Sequence, residues 1–282
     1  LINFDSEKFE ISADVIKSNT EEKKVLEELG HIQGAPSYLL LLYLFKNQGT
    51  LSLSDSDLVK TIKLLTRFFV RRNITDMPNT RDLTRIFMNI ISDIETESLE
   101  GEEIFVAIYE TLKKWSAPDE VFSDNLKGNI YEENVGAARF ILCALAEKAM
   151  TNETWTDLWE QNDYSGKKVY KWTIEHIFPE GKNIPQHWID MIADGDKTLA
   201  KEYLELYVHK IGNLTITGYN STLSNLSFVE KRDRVNSQKL FVGYKNGLEI
   251  NKEISKKDSW TVQDIKDRTD RLVDELLIMF AL

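Results

Sequence analysis

Thr173-Ile174-Glu175-His176-Ile177-Phe178-Pro179 is the stretch on which the fold and chemistry of this chain turn. It closes a segment, 168–177, rich in Val, Tyr, Trp, Thr and Ile, which predicts a strand. Pro179 has no amide to donate and cannot continue an inner strand, so Glu175 and His176 stand at a strand end. Neighbouring side chains on a strand point to opposite faces. The Glu-His pair can therefore serve one site only where the strand ends and twists. Just upstream, Asp163, Ser165 and Gly166 mark a turn. Downstream, 185–210 reads as a mostly helical insertion, and 211–218 as a short strand between glycines. The turn 220–225, rich in cap residues, then feeds a helix through Phe228, Lys231 and Arg232.

The preceding part, 1–160, reads as a helical bundle domain, with a second domain over 161–282. In 55–70 the apolar residues Leu58, Ile62, Leu65, Phe68 and Phe69 form a helical stripe, with Ser54 or Asp55 as cap. Asn79 and Thr80 can open a second helix through Leu83, Ile86, Phe87, Ile90 and Ile91. The segments 101–115 and 132–150 repeat the pattern, and 39–45 is apolar all round, as in a buried helix. At the other end, 261–280 is amphipathic, with Thr261 and Asp264 spaced as a capping box. The expected fold is mainly α: a helical bundle followed by a two-strand-and-helix core embedded in helices.

Composition narrows the classes. The 282 residues are 42% hydrophobic and 29% charged, with 13 Gly and 5 Pro, which excludes collagen-like and wholly disordered chains. No apolar run is long enough to cross a bilayer, so no membrane partner is expected. Cys143 is the single cysteine, which excludes an intrachain disulfide and a multi-thiolate zinc site. With no signal peptide visible, a reducing cytoplasm is the expected compartment. The first residue is Leu1, so the chain reads as a piece of a longer protein. Net charge is −11, which argues against a surface coated in phosphate-binding groups, yet 228–257 carries eight bases and four acids.

A strand, a loop, a short strand and a helix, carrying acid–His, then Asn, then Asn, is the outline of a ββα-metal (HNH) nuclease core. Hydrolysis of a phosphodiester needs a base for water, a cation for the pentavalent transition state, and a group that holds the base in its useful tautomer. A neutral imidazole suits the first role, and Glu or Asn oxygens suit a hard divalent ion. Taken singly, each piece has a plainer explanation. A lone Glu-His pair is most often structural, Gly212-Asn213 is foremost a turn signal, and Lys231-Arg232 is most often a solvated helix face. His209, near Asn213, could enter the site but fits a helix end better, His187 fits packing or surface, and Cys143 fits an inert core. The order and spacing of the set carry the inference.

Thr173 to Pro179, then Ile211-Gly212-Asn213-Leu214-Thr215-Ile216-Thr217-Gly218-Tyr219-Asn220, then Leu223-Ser224-Asn225, Phe228 and Lys231-Arg232, with Trp260, Ile265 and Arg268 beyond, resemble the C-terminal HNH domain of GmrSD-type restriction endonucleases. The resemblance covers roughly 170–282. It implies an enzyme that cleaves DNA, often with modified bases, in phage defence, using Mg²⁺ or Mn²⁺. It further implies His176 as general base and Asn213 as the residue that ties the strands and orients the His loop. Glu175 is implied as a metal ligand, with Asn220 (preferred) or Asn225 as the helix-side ligand, and Lys231 and Arg232 as phosphate contacts. The family's nucleotide-using domain has no counterpart motif here, nor is there a P-loop, so it is expected as a missing domain or a partner subunit. A fragment of this kind can be inactive alone. The competing expectations are a catalytically degenerate HNH-fold binding module and an RNA-cleaving toxin.

Overall fold

The computed structural model describes residues 20–151, 153–218 and 223–282, and these are mainly helical with two small antiparallel sheets. Contacts divide the chain into two compact units, one reaching to Phe122 and taking in Phe280–Leu282, the other Ser123–Met279. The division falls before the boundary expected at 160, and the helices of 130–147 lie in the second unit. No described helix is long and apolar enough to cross a membrane.

The first unit contains α1 (Thr20–His31), α2 (Tyr38–Lys46), α3 (Asp55–Thr75), α4 (Thr80–Thr96) and α5 (Glu102–Trp115), while α6 (Asp119–Leu126) spans the boundary. Ser54 opens α3 with a full capping box: its hydroxyl accepts from the Asp57 amide, and the Asp57 carboxylate accepts from the Ser54 amide. The stripe read from the sequence is the core. Phe68, Phe69 and Phe87 are buried, with ring centroids 5.4–6.5 Å apart. Arg71 is buried over the Phe122 ring, and its guanidinium donates to Ala117 O and Asp119, both at 2.7 Å.

The second unit begins with α7 (Ile130–Glu133) and α8 (Val135–Glu147). The sequence predicts one helix there. Asn134 breaks it, at φ −154° and ψ 89°, and its side chain caps α8 by accepting from the Ala137 amide. The single strand expected over 168–177 is likewise two. Strand β1 (Gln161–Tyr164) pairs with β2 (Lys167–Tyr170) across the Ser165-Gly166 turn, where both residues have positive φ. Strand β3 (Thr173–His176) belongs to another sheet, paired with β4 (Leu214–Thr217). The break comes at Trp172, whose carbonyl is taken at 2.6 Å by Arg139 of α8. The same guanidinium also holds Leu158 O at 2.6 Å.

Between β3 and β4 lie α9 (Gln186–Ala193) and α10 (Lys197–Tyr207), the expected helical insertion, followed by α11 (Phe228–Asp233), α12 (Glu249–Lys252) and α13 (Val262–Met279). Trp188, Trp260, Phe178, Phe228 and Tyr244 fill the core beneath the β3–β4 pair, and Phe228 stacks on Trp260 at 5.9 Å. Gly212 lets α13 come close: a Cβ there would lie 2.1 Å from Ile265 O. Arg268 of α13, wholly buried, donates to Gly212 O and Leu214 O, both at 2.7 Å. The Thr261–Asp264 capping box expected at the start of α13 is present.

Candidate active site

Strand β3 pairs with β4 through its last residue, with Glu175 opposite Thr215 and His176 opposite Leu214. The strand stays extended to its end, so Glu175 and His176 face opposite sides of the pair. They do not meet around one site, as the sequence reading requires.

Glu175 faces inward. Its carboxylate accepts from Lys231 Nζ at 2.7 Å, and both side chains are buried. Lys231 also donates to His176 O at 2.9 Å and Ile177 O at 3.2 Å. Burial pushes the Glu175 carboxyl up to about 7 and pushes the Lys231 ammonium down, against the attraction between them. Two expectations are corrected here. Lys231 cannot grip a phosphate, because it sits at 0% exposure with its donors spent on protein. Glu175 does not suit a cation, because an ammonium already holds its carboxylate. Arg232 is also engaged, with Asp233 on one edge and with Asp258 and Lys257 O on the other. It is pinned to α11 and its surroundings rather than presented to a nucleic acid.

His176 faces the other way. Its Nε2 lies 3.3 Å from His209 Nδ1 and 3.5 Å from a carboxylate oxygen of Glu180. The Tyr131 ring, from α7, meets the His176 ring edge-on with centroids 4.5 Å apart and stacks on His209 at 5.4 Å. The His176 side chain is 9% exposed, whereas that of Glu180 is 54% exposed. Burial first, then His209 and Lys231, pull the His176 pKa down to about 3, so the ring is neutral at physiological pH. A neutral imidazole keeps one lone pair, and the hydrogen bond between His176 Nε2 and His209 Nδ1 decides which ring nitrogen carries it.

Asn213 locks the loop that follows His176. Its side chain accepts from Phe178 N at 2.9 Å and from Trp260 Nε1 at 3.2 Å. It donates to Phe178 O at 2.9 Å and Val208 O at 3.0 Å, while its own carbonyl accepts from Ile177 N. All four hydrogen bonding positions of the amide are used, and the residue is fully buried. It thus fixes the segment after His176 and the segment leading to His209.

Asn220 lies outside the described residues. Asn225 is exposed, with its Oδ1 facing the backbone at Gly181, next to Glu180. It does not cap α11, since Ser227 and Glu230 form that capping box. Among the described residues, His176, Glu180 and His209 form a group whose ligand atoms all lie within 4.8 Å of one another. The sequence reading passed over Glu180, four residues after His176 and just beyond Pro179. For His209, close to Asn213 in sequence, a helix end is the preferred reading and entry into the site the alternative; the structure brings it beside His176. Tyr131 carried no sequence signal, because a helix elsewhere in the chain brings it in.

No curated protein matches the chain. The family model described as GmrSD restriction endonucleases, C-terminal domain, matches residues 116–275, more than half the chain and nearly the extent of the second unit. With the His176 face, the Asn213 lock and this match in view, the chain belongs to the family of GmrSD restriction endonucleases, as their C-terminal domain.

Proposed function

We propose that the chain is the DNA-cutting module of a phage-defence restriction system, an HNH-type nuclease hydrolysing phosphodiester bonds with His176 as general base. The observation that carries this reading is the placing of the His176 imidazole, seated at a strand end beside the exposed Glu180 and backed by the Asn213 lock. The order β3, β4, α11 is the strand–strand–helix outline of that nuclease class. His176 takes the proton of a water molecule as its oxygen bonds to phosphorus. The bond from phosphorus to the leaving sugar oxygen then breaks. Tyr131, packed on both imidazoles, and Asn213, behind the loop, keep the base from turning away.

Restriction endonucleases of this family suggest use of a divalent metal. The oxygen donors that fit a hard ion such as Mg²⁺ or Mn²⁺ are the Glu180 carboxylate and the Asn225 amide, which flank the same loop, rather than Glu175. Such an ion supplies positive charge to a pentavalent phosphorus. Target recognition, including any preference for modified bases, is assigned to a nucleotide-using partner domain or subunit. The chain's net charge of −11 accords with a module delivered to DNA rather than one that finds it.

The test is cleavage of plasmid and modified phage DNA by the complete restriction assembly with Mg²⁺, comparing His176→Ala with the parent. General-base loss should slow cleavage by about 10²–10⁴-fold. Equal rates would end the nuclease assignment for this site. RNA digested in parallel should stay intact; preferential RNA cleavage would replace the substrate.

A further inference from the structure

We infer that His176, His209 and Glu180 form a binding site for an imidazole-seeking transition-metal ion of the zinc class, whose occupation silences His176 as a base. The donor set comes first. Two imidazole nitrogens and one carboxylate are ligands typical of zinc, and three protein ligands leave a fourth position open. A magnesium ion prefers oxygen donors and holds its waters, so it competes poorly for two imidazoles.

The two distances from His176 agree, and the third stays within 4.8 Å. Four ligands about 2.0–2.1 Å from a tetrahedral ion stand about 3.3–3.4 Å from one another. The structure has His176 Nε2 at 3.3 Å from His209 Nδ1 and 3.5 Å from Glu180 Oε2. A regular octahedron of that radius would need edges of about 2.9 Å. The two nitrogens are within hydrogen-bond reach of each other, so one ring N–H lies between them without the ion and is given up when both nitrogens coordinate it.

Preorganisation is the third strand of the argument. Tyr131 packs against both rings, and Asn213 clamps Phe178 and Val208, which flank the two histidine segments. Glu180 stays half exposed, so the carboxylate can swing to close the set, and ions can enter from solvent.

The silencing rests on the reading of His176 as general base, whereas the ion site does not. The nitrogen that faces His209 and Glu180 is Nε2, and its one lone pair cannot both coordinate an ion and take a proton from water. Zinc should therefore inhibit cleavage even with Mg²⁺ in excess.

The experiment has two arms. In the first, the metal-free full chain is titrated with Zn²⁺ by calorimetry and with Co²⁺ by visible absorption. One equivalent should bind, with the intense visible bands of four-coordinate cobalt, and millimolar Mg²⁺ should not displace it. His209→Gln and Glu180→Gln, each checked for fold by circular dichroism, should weaken zinc binding. His209→Gln should cost more than the ~10–100-fold typical of losing an outer-shell partner. Absence of zinc binding, or binding unchanged in both variants, overturns the site. In the second arm, the assembly cuts DNA with and without Zn²⁺, and each variant is compared with itself. Inhibition in the parent that is relieved in His209→Gln supports the silencing. Zinc bound by the three residues without slowing His176-dependent cleavage overturns it. If no sample cuts DNA yet binding depends on the three residues, the metal site stands and the nuclease reading falls.

Discussion

Lys231→Met is the sharpest test of how the two faces of β3 differ. In the structure the Lys231 ammonium is buried and donates to Glu175, His176 O and Ile177 O at 2.7, 2.9 and 3.2 Å. Methionine fills similar volume but leaves a buried carboxylate and two buried carbonyls without their donor. Breaking one side of a buried pair costs about 3–5 kcal/mol, much of the ~5–15 kcal/mol that holds a domain folded. The deficit should also depend on pH. Glu175, already raised to about 7 with its partner present, rises further without it. A carboxyl whose folded pKa exceeds its unfolded value of 4.5 loses stability as pH climbs between the two. The variant should therefore lie closer to the parent at pH 5 than at pH 8. Urea unfolding followed by tryptophan fluorescence suits the measurement. Five of the six tryptophans, all but Trp115, lie in the second unit, so the signal reports the unit that holds the pair. Lys231→Met combined with Glu175→Gln should recover part of the loss, giving a non-additive cycle. A phosphate-gripping Lys231 predicts the reverse: stability within about 1 kcal/mol of the parent and weakened DNA binding. That outcome, or strict additivity in the double variant, refutes the buried pair.

Two further expectations concern the same unit. Asn213→Ala removes four buried hydrogen bonds at once. Leaving a buried partner unmade costs about 1–3 kcal/mol, so the midpoint of urea unfolding should fall markedly, with hydrogen exchange at Phe178 N speeding up first. Unchanged exchange there would count against the lock. Because Lys231 and Arg232 are engaged, Arg234 and Lys239 are among the exposed bases that remain in the basic stretch for DNA. Replacing either with Ala should weaken binding by the complete assembly evenly across sequences, and lower the salt slope by about 1. A salt slope unchanged in the double variant would place the phosphate contacts elsewhere.

Much of the fold was legible because it follows from periodicity. The stripe Leu58, Ile62, Leu65, Phe68 and Phe69 is buried in α3, and the box at Thr261 opens α13. The breaks were harder, because side chains far away in sequence impose them. Asn134 interrupts a helix that its neighbours would continue, and Arg139 pulls Trp172 O out of a strand that composition alone would run unbroken. Neither has a local signal beyond one polar residue in an apolar run.

At the site, the acid beside the histidine was assigned to the wrong face for a reason the sequence itself contained. Alternation along a strand separates Glu175 from His176, and only a twist at Pro179 could have reunited them. The ladder instead holds through His176 and Leu214, and Ile177 N still reaches Asn213 O, so the strand has no room to twist. Once the pairing is rigid to its end, any acid that serves His176 must come from beyond the turn. Glu180 does, because Pro179 ends the strand and Asn213 draws the Phe178 backbone back toward β4. The same clamp on Val208 brings His209 alongside. A fully buried Asn that grips both segments is thus what turns two separate stretches of chain into one site. The inward Glu175 then serves as the counter-charge for Lys231, tying α11 to the strand that carries His176. A loss of the His176 position on breaking either the lock or the pair would follow from one cause, the rigidity of β3.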